Sequence, residues 1–190
     1  MFNRGHEKRQ LFSEPDDYVE FLRLLRDAPQ AADVPLLAYC VMPNHWHLVV
    51  APVEVRALSA YLQWVTGRHG LRWRRRHAPA VTGPVYQGRF RSVPIVNDRH
   101  LFTALRYVEA NAARSGLVAR ASEWPWSSAA LPCREEGPPL VERPWPMPAN
   151  WRELLDIPQT PEQLDAIRRA VARSRPLKCL ECSHPAESRL

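Results

Sequence analysis

The sequence predicts an α+β fold in which helices pack on an antiparallel sheet, and three observations support this prediction. Amphipathic helical stripes alternate along the chain with short apolar runs of strand length. Two of these runs are separated by the turn residues Pro43 and Asn44, which predicts a hairpin. The length of 190 residues fits one domain with a C-terminal extension.

The first predicted elements are a helix and the two strands of the hairpin. Ser13–Asp16 is typical of a capped helix start. The apolar stripe that follows has helical spacing and consists of Tyr18, Phe21, Leu22 and Leu25. The apolar run 36–41 predicts the first hairpin strand, and the run 45–50 predicts the second.

The middle of the chain predicts a helix, a strand and another helix. The second helix is expected to start near Leu58 and to run into the basic segment Arg72–Arg76. Residues 85–95 are expected to form a strand with Arg89 and Arg91 on one face and Phe90 on the other. A third helix is predicted after the Asn97–Asp98 cap, and it ends at Gly116.

The C-terminal third differs in composition from the rest. An aromatic segment, 124–128, is followed by the proline-rich stretch 132–148. Two short helices are predicted after it, one from Asn150 and one from the capping box at Thr160–Gln163. We therefore expect one domain over residues 1–130, and a proline-rich segment with a helical C-terminal tail over 131–190.

Composition indicates a soluble, cytoplasmic protein. Neither a membrane-spanning apolar run nor a signal-peptide core is expected from the sequence. The four cysteines do not have the pattern of a disulfide framework. Cys179 and Cys182 have zinc-like or redox-like spacing, but one such pair is weak evidence for a metal.

Positive charge is concentrated in the middle of the chain. Residues 1–55 carry a net charge of −3, residues 56–106 carry +9, and residues 107–190 are neutral. Nearly all the basic residues are arginines, which favours phosphate or guanine contacts. A genomic arginine bias would explain arginine over lysine, but not the missing acids of the middle segment. The distribution therefore indicates a polyanionic partner.

Two histidines, His45 and His47, are the first candidate site residues. Residues two apart on a strand point to one face, so both imidazoles can bind one divalent metal. On spacing alone, two histidines on a polar sheet face remain the more common explanation. Barrel hydrolases also use a His-x-His pair, but such a barrel needs about 250 residues.

The third helix contributes the second set of candidates. Tyr107 and Asn111 are four residues apart on a face distinct from the buried stripe, and an exposed tyrosine there is also common. Asn111 can supply an amide oxygen as a third metal ligand. A metal near a phosphate makes phosphorus more electrophilic, which a weak nucleophile such as a tyrosine hydroxyl requires.

These segments together resemble the single-tyrosine HUH transposases, and most closely the bacterial REP-associated tyrosine transposases linked to short palindromic repeats. The segment around His45-Trp46-His47 resembles the histidine–hydrophobic–histidine motif of that family. Four further segments agree in the family's order over about residues 3–130: Asn3–Gly5, Gly88–Ser92, Tyr107–Val118 and Trp124–Ser128.

The resemblance implies a ferredoxin-like, RRM-like fold, known as the HUH endonuclease fold. It implies that His45, His47 and Asn111 bind Mg²⁺ or Mn²⁺. It also implies that Tyr107 cuts single-stranded DNA near a hairpin, leaving a 5′-phosphotyrosine and a free 3′-hydroxyl. Arg89 and Arg91 are then expected to face the DNA. Phosphates or a flipped base are expected to contact Arg72, Arg74, Arg75 and Arg76, with Trp73 available for stacking.

Some alternatives remain open at this point. Only Met1 and Phe2 precede Asn3, so the first strand of the fold is expected to be nearly absent and a sheet edge exposed. A short first strand favours a second hypothesis, a decayed or domesticated protein that binds hairpin DNA without cutting it. An RNA nuclease on the same fold ranks lower, since a tyrosine nucleophile needs no 2′-hydroxyl. The sequence does not distinguish a monomer from a homodimer.

Overall fold

The computed structural model describes residues 1–77, 83–130, 137–144 and 146–173. Within these ranges, a three-stranded antiparallel sheet has the order β1-β3-β2. Its strands are β1 (Phe2–Arg4), β2 (Leu36–Met42) and β3 (His45–Val50). The α-helices of the described ranges are α1 (Pro15–Asp27), α2 (Val55–His77), α3 (Asp98–Glu109), α4 (Asn111–Arg114), α5 (Trp151–Asp156) and α6 (Pro161–Arg173). None of these helices is long and apolar enough to cross a membrane.

Helices cover both faces of the sheet. Trp46 and Leu48 of β3 pack with α1 and α2 in one apolar core, which also contains Leu22 and Leu62. Val49, on the alternate face of β3, belongs to a second core, which also includes Leu105 and Val108 of α3. The α+β fold class is confirmed. The order β1–α1–β2–β3–α2 gives a ferredoxin-like arrangement, with α3 added on the opposite face.

The expectation of a nearly absent first strand is wrong. β1 is short, but Asn3 and Arg4 are part of it, and it pairs antiparallel with β3. Its other side is covered by two isolated bridges, from Gly5 to Tyr86 and from Phe2 to Arg91. The outer side of β2 is covered in turn, since Cys40 bridges to Ser127. Both edges of the sheet are therefore occupied, which protects them from pairing with another chain.

The predicted strand over residues 85–95 is not a regular strand. Within this segment, Arg91 forms an isolated bridge to Phe2 of β1, and Tyr86 forms one to Gly5, just after β1. Between them, Gly88 has a φ of 153°, a backbone conformation that glycine adopts far more readily than other residues. This conformation interrupts the extended run. Phe90 packs against the α1/α2 core, whereas Arg91 is exposed.

The third predicted helix is divided in two. α3 ends at Glu109 and α4 begins at Asn111, because Ala110 between them has φ −81° and ψ 2°.

The predicted N-terminal cap of α3 is confirmed, since Asn97 Oδ1 accepts the N–H of His100 at 2.9 Å. The predicted stop is also confirmed. Gly116 has a φ of 74°, and the N–H groups of Gly116 and Leu117 donate to the carbonyls of Ala113 and Ala112, as in a Schellman motif.

The C-terminal extension is attached to α3. Trp151 and Leu155 of α5 belong to the same apolar core as Leu105. Arg106 donates to the Leu154 carbonyl at 2.9 Å and to the Ile157 carbonyl at 2.7 Å.

Of the cysteines, Cys40 is buried and forms no disulfide, while Cys133, Cys179 and Cys182 lie outside the described residues.

Candidate functional site

The two histidines lie side by side on the α3 face of the sheet. Cross-strand pairing places Phe2 opposite His47 and Arg4 opposite His45, so all four side chains share that face. The imidazole centroids of His45 and His47 are 5.1 Å apart, with the rings nearly perpendicular. The strand alternation predicted from the sequence therefore brings the two rings together.

Both imidazoles are held in the neutral form. Burial, with the nearby charges of Arg4 and Arg114, lowers the pKa of His45 to about 4. Burial also lowers the pKa of His47 well below its ordinary value. Asn44 Oδ1 lies 2.7 Å from His45 Nδ1. An amide oxygen can only accept a hydrogen bond, so this contact fits the tautomer that carries its proton on Nδ1. The lone pair on Nε2 is then available to a metal.

Tyr107 lies directly against this pair. Its ring meets the ring of His47 edge to face, with centroids 5.5 Å apart. Leu105 and Val108, buried on the neighbouring faces of α3, hold the helix against the sheet. The side chain of Tyr107 is half-buried, so a substrate can reach it.

Arg114 also contacts the tyrosine. Its guanidinium carbon is 4.1 Å from the centroid of the Tyr107 ring, within cation–π distance. Arg114 Nη1 also donates to the Tyr107 carbonyl at 3.1 Å. In the sequence, the only signal for the contact between Arg114 and Tyr107 was their spacing of seven residues, about two helical turns.

Asn111 follows Tyr107 by four residues but lies on a different helix. The break at Ala110 places Tyr107 on α3 and Asn111 at the first position of α4. The side chain of Asn111 is 5% exposed, and its Nδ2 has no hydrogen-bond partner. An amide left unpaired in a buried position is unusual, and a bound ion is one of the groups that would explain it. Because the oxygen and nitrogen of an amide can exchange places, Asn111 fits the role of a metal ligand through its oxygen.

The donor set of two neutral imidazoles and one amide oxygen suits a divalent ion such as Mn²⁺. Within the described ranges, no three His, Cys, Asp or Glu side chains converge in the manner of a metal cluster. A site here would therefore depend on Asn111, with water or a phosphate oxygen completing the coordination.

The predicted arginine cluster lies on the other side of the sheet. Arg72, Arg74, Arg75 and Arg76 are on the last turns of α2. Arg72 forms an ion pair with Glu20 at 3.1 Å, and Arg76 with Asp16 at 3.4 Å. The structure thus does not bring these residues together with the histidines.

Trp73 is placed in the protein core. It is only 9% exposed and belongs to the α1/α2 core. The Arg9 guanidinium lies 5.2 Å from its ring centroid, and the His77 ring lies 5.5 Å away. Little of the ring is left for a base to stack on.

Arg89 and Arg91 are exposed, and Arg91 is close to the candidate site. Its backbone bridges to Phe2, which packs on His47 with centroids 4.9 Å apart. Arg91 Nη1 also donates to the Ala172 carbonyl of α6 at 3.4 Å. Contacts of these arginines with DNA remain a prediction.

Sequence reasoning gave no role to Glu109, two residues after the tyrosine. This carboxylate is 1% exposed and accepts hydrogen bonds from Ser128 Oγ at 2.8 Å and from Trp151 Nε1 at 2.7 Å. Arg143 forms a charged hydrogen bond with it as well. Glu109 therefore ties the end of α3 to the aromatic segment and to α5.

We expect Glu109→Ala to lower the free energy of unfolding by about 3–5 kcal/mol, because it leaves the buried Trp151 N–H and the charge of the part-buried Arg143 without their acceptor. Urea denaturation followed by circular dichroism would measure this loss. Glu153→Ala, at an exposed position on α5, is the matched control and should have near-wild-type stability. Equal stability of the two variants would contradict the role given to Glu109.

Comparison with known proteins found a similar solved structure and a matching family. A solved structure of a REP-associated tyrosine transposase bound to a REP hairpin is similar to this chain, with 17% sequence identity and a TM-score of 0.46. The similarity covers 74% of this chain and 90% of that one. A search of curated proteins found no significant match. The profile of the family described as "Transposase IS200 like" matches residues 3–111, a segment that contains His45, His47, Tyr107 and Asn111. The chain therefore belongs to the IS200-like transposase family.

Proposed function

We propose that this protein cuts and rejoins single-stranded DNA beside a hairpin, with Tyr107 as the nucleophile and a divalent metal, Mg²⁺ or Mn²⁺, held by His45, His47 and Asn111. The observation that carries the proposal is the packing of Tyr107 against His47, on the face that both histidines share. All four residues lie within the segment that matches the family.

The reaction is a transesterification at phosphorus. Tyr107 Oη attacks the phosphorus and loses its proton to solvent, while the bond from phosphorus to the 3′-oxygen breaks. The departing 3′-oxygen takes up a proton and leaves as a 3′-hydroxyl. The 5′-phosphate is then esterified to the tyrosine. Attack by a 3′-hydroxyl on this ester reverses the step and joins strands.

Each residue of the site has a proposed part in this step. A divalent ion, when bound, polarises a phosphate oxygen and stabilises the charge that develops on it. His45 and His47 are neutral and therefore ready to bind it, and Asn44 orients the ring of His45. Arg114 holds the Tyr107 ring in place through its cation–π contact.

Arg4 is a further candidate for phosphate contact. It lies opposite His45, and its buried Nε has no hydrogen-bond partner. A phosphate oxygen is a strong acceptor for a guanidinium group in such a position. On the outer surface, the exposed Arg75, Arg89 and Arg91 are proposed to hold the DNA backbone, consistent with the +9 charge of residues 56–106.

The test is covalent capture of labelled DNA. Purified protein is mixed with a labelled hairpin oligonucleotide from the DNA that flanks its gene, Mn²⁺ is added, and the sample is run on a denaturing protein gel. A labelled band that disappears when EDTA is added first is the expected result. A salt-sensitive gel shift without such a band would instead favour a protein that binds hairpin DNA without cutting. Stronger competition by a matched RNA hairpin would favour an RNA substrate.

A further inference from the structure

Arg114 is a part-buried cation without an acidic partner in the described part of the chain. It is the last residue of α4, and its guanidinium carbon is 4.1 Å from the centroid of the Tyr107 ring. Its hydrogen bonds go to two neutral oxygens, the Tyr107 carbonyl at 3.1 Å and Gln159 Oε1 at 3.5 Å. The ion pairs formed among residues 1–77, 83–130, 137–144 and 146–173 do not include it. Charges withdrawn from water are usually paired, so this one requires an explanation.

The charge of Arg114 acts on the tyrosine. Burial lowers the pKa of Arg114 from its ordinary value, as expected for a cation partly removed from water. An arginine nevertheless keeps its proton in proteins. The groups whose negative forms would attract this charge are Tyr107 and Cys40. Cys40 stays neutral, because burial raises the pKa of its thiol to about 12. Tyr107 is therefore the group that Arg114 can serve.

The oxygen of Tyr107 becomes partly negative in both directions of the proposed reaction. In cutting, Oη provides the electron pair of the new bond to phosphorus and loses its proton to solvent. In rejoining, that bond breaks, its electron pair returns to Oη, and Oη takes up a proton from solvent. The negative charge of each transition state is shared with the ring that Arg114 contacts. A fixed cation at the ring stabilises this charge more than it stabilises the neutral tyrosine or the ester.

The C-terminal extension supports this contact. Gln159 is 8% exposed and lies between α5 and α6, where its Oε1 accepts from Arg114. The same connection is attached to α3, because Arg106 donates to the Ile157 carbonyl at 2.7 Å. An acceptor fixed in this way limits the directions in which the guanidinium can turn. Both Arg114 and Gln159 lie outside residues 3–111, the segment that matches the family.

We propose that Arg114 stabilises the negative charge that develops on Tyr107 in both cutting and rejoining, and that Gln159 is a positioning residue that holds Arg114 over the ring. This inference rests on the proposed function and gives the C-terminal extension a part in the reaction. Because the same charge develops in both directions, loss of Arg114 should slow both by the same factor. A residue that only orients the free tyrosine would slow cutting far more than rejoining, because the DNA itself holds the tyrosine in the adduct.

Single-turnover rates in the two directions test this inference. Cutting is followed as adduct formation on denaturing gels, with saturating labelled hairpin DNA and Mn²⁺. Rejoining is followed as loss of purified adduct after an oligonucleotide with a 3′-hydroxyl is added in excess. We expect Arg114→Met, which keeps an unbranched stem against the ring, to lower both rates at least about tenfold. Arg114→Lys should recover part of this loss because it keeps the charge, and Gln159→Leu should lower both rates by a smaller, equal factor.

Arg68→Met is the matched control. Arg68 is exposed on α2, and its guanidinium carbon is 5.5 Å from the centroid of the Trp64 ring, so the variant loses a similar contact elsewhere. It should cut and rejoin at wild-type rates. The thermal midpoint of every variant is measured as well. If Arg114→Met is unfolded at the assay temperature, Gln159→Leu decides: equal slowing of both directions supports the inference, and wild-type rates overturn it.

The outcomes separate this inference from the proposed function. Wild-type rates for a folded Arg114→Met, or a loss confined to cutting, would overturn the role of Arg114 and leave the proposed function standing. Equal losses in Arg114→Lys and Arg114→Met would do the same, because the charge would then be irrelevant. Absence of any adduct with the wild-type protein would overturn the proposed function, and this inference with it.

Discussion

Tyr107→Phe should abolish the covalent protein–DNA adduct while leaving DNA binding unchanged. The substitution removes one oxygen atom and keeps the ring that packs against His47 and Arg114. Without the hydroxyl there is no atom to form the ester bond, so the rate of adduct formation should fall at least about 10³-fold. Labelled hairpin DNA on a denaturing gel measures the adduct, and a gel shift under native conditions measures binding.

Tyr18→Phe is the matched control for this experiment. Tyr18 lies on α1, which packs on the opposite face of the sheet, and its hydroxyl makes only a long 3.4 Å contact with the Phe12 carbonyl. This variant should form the adduct at the wild-type rate. An adduct that persists in Tyr107→Phe and is lost in Tyr18→Phe would mean that the nucleophile lies elsewhere.

Local periodicity was sufficient to predict the main part of the site. Side chains on a strand alternate between faces, so His45 and His47 had to share one if the segment was a strand. The helix containing Tyr107 was equally predictable, because Leu101, Leu105 and Val108 mark its buried stripe. Neither pattern depends on the rest of the chain, which is why both could be inferred without a structure.

Contacts between distant segments could not be inferred in the same way. The partners of Glu109 are 19, 34 and 42 residues further along the chain, at Ser128, Arg143 and Trp151. The unpaired state of the buried His100 ring is likewise a property of its tertiary surroundings. Tertiary packing decides both, and no local pattern encodes either.

The basic segment illustrates the same limit. Its charge was evident from composition, but α1 places Glu20 and Asp16 beside Arg72 and Arg76. Part of the positive charge is thus compensated by acids more than 50 residues away. The strand predicted over residues 85–95 was wrong for a local reason. One glycine with a positive φ, Gly88, interrupts a run that otherwise has strand composition.

The break at Ala110 also changes how the proposed metal site must be understood. On one continuous helix, Tyr107 and Asn111 would be separated by one turn, and their positions would be rigidly linked. With Asn111 at the start of α4, its amide is positioned by α4 and β2, while Tyr107 is positioned by α3 and Arg114. The proposed nucleophile and the proposed third ligand are therefore positioned by different helices.

His47→Ala should remove both metal binding and adduct formation. His47 is the more buried of the two histidines and the one that contacts Tyr107. Residues that only orient a metal ligand typically change metal affinity about 10–100-fold, so loss of a direct ligand should weaken Mn²⁺ binding by at least about 100-fold. The electron paramagnetic resonance signal of free Mn²⁺, followed during titration with protein, measures this affinity independently of any DNA reaction.

Two further variants make this result specific to the proposed site. His77→Ala removes a histidine of α2, whose ring pairs with Asp17 at 2.9 Å, and it should bind Mn²⁺ as the wild type does. Asn111→Leu keeps the volume of the side chain but offers no oxygen, so it should weaken Mn²⁺ binding and also remove the unpaired buried amide. If His47→Ala binds Mn²⁺ with wild-type affinity, the metal is held by other residues. If Asn111→Leu keeps wild-type Mn²⁺ affinity while His47→Ala loses it, the two histidines bind the metal without the amide. Asn111 then has a purely structural role beside the proposed nucleophile.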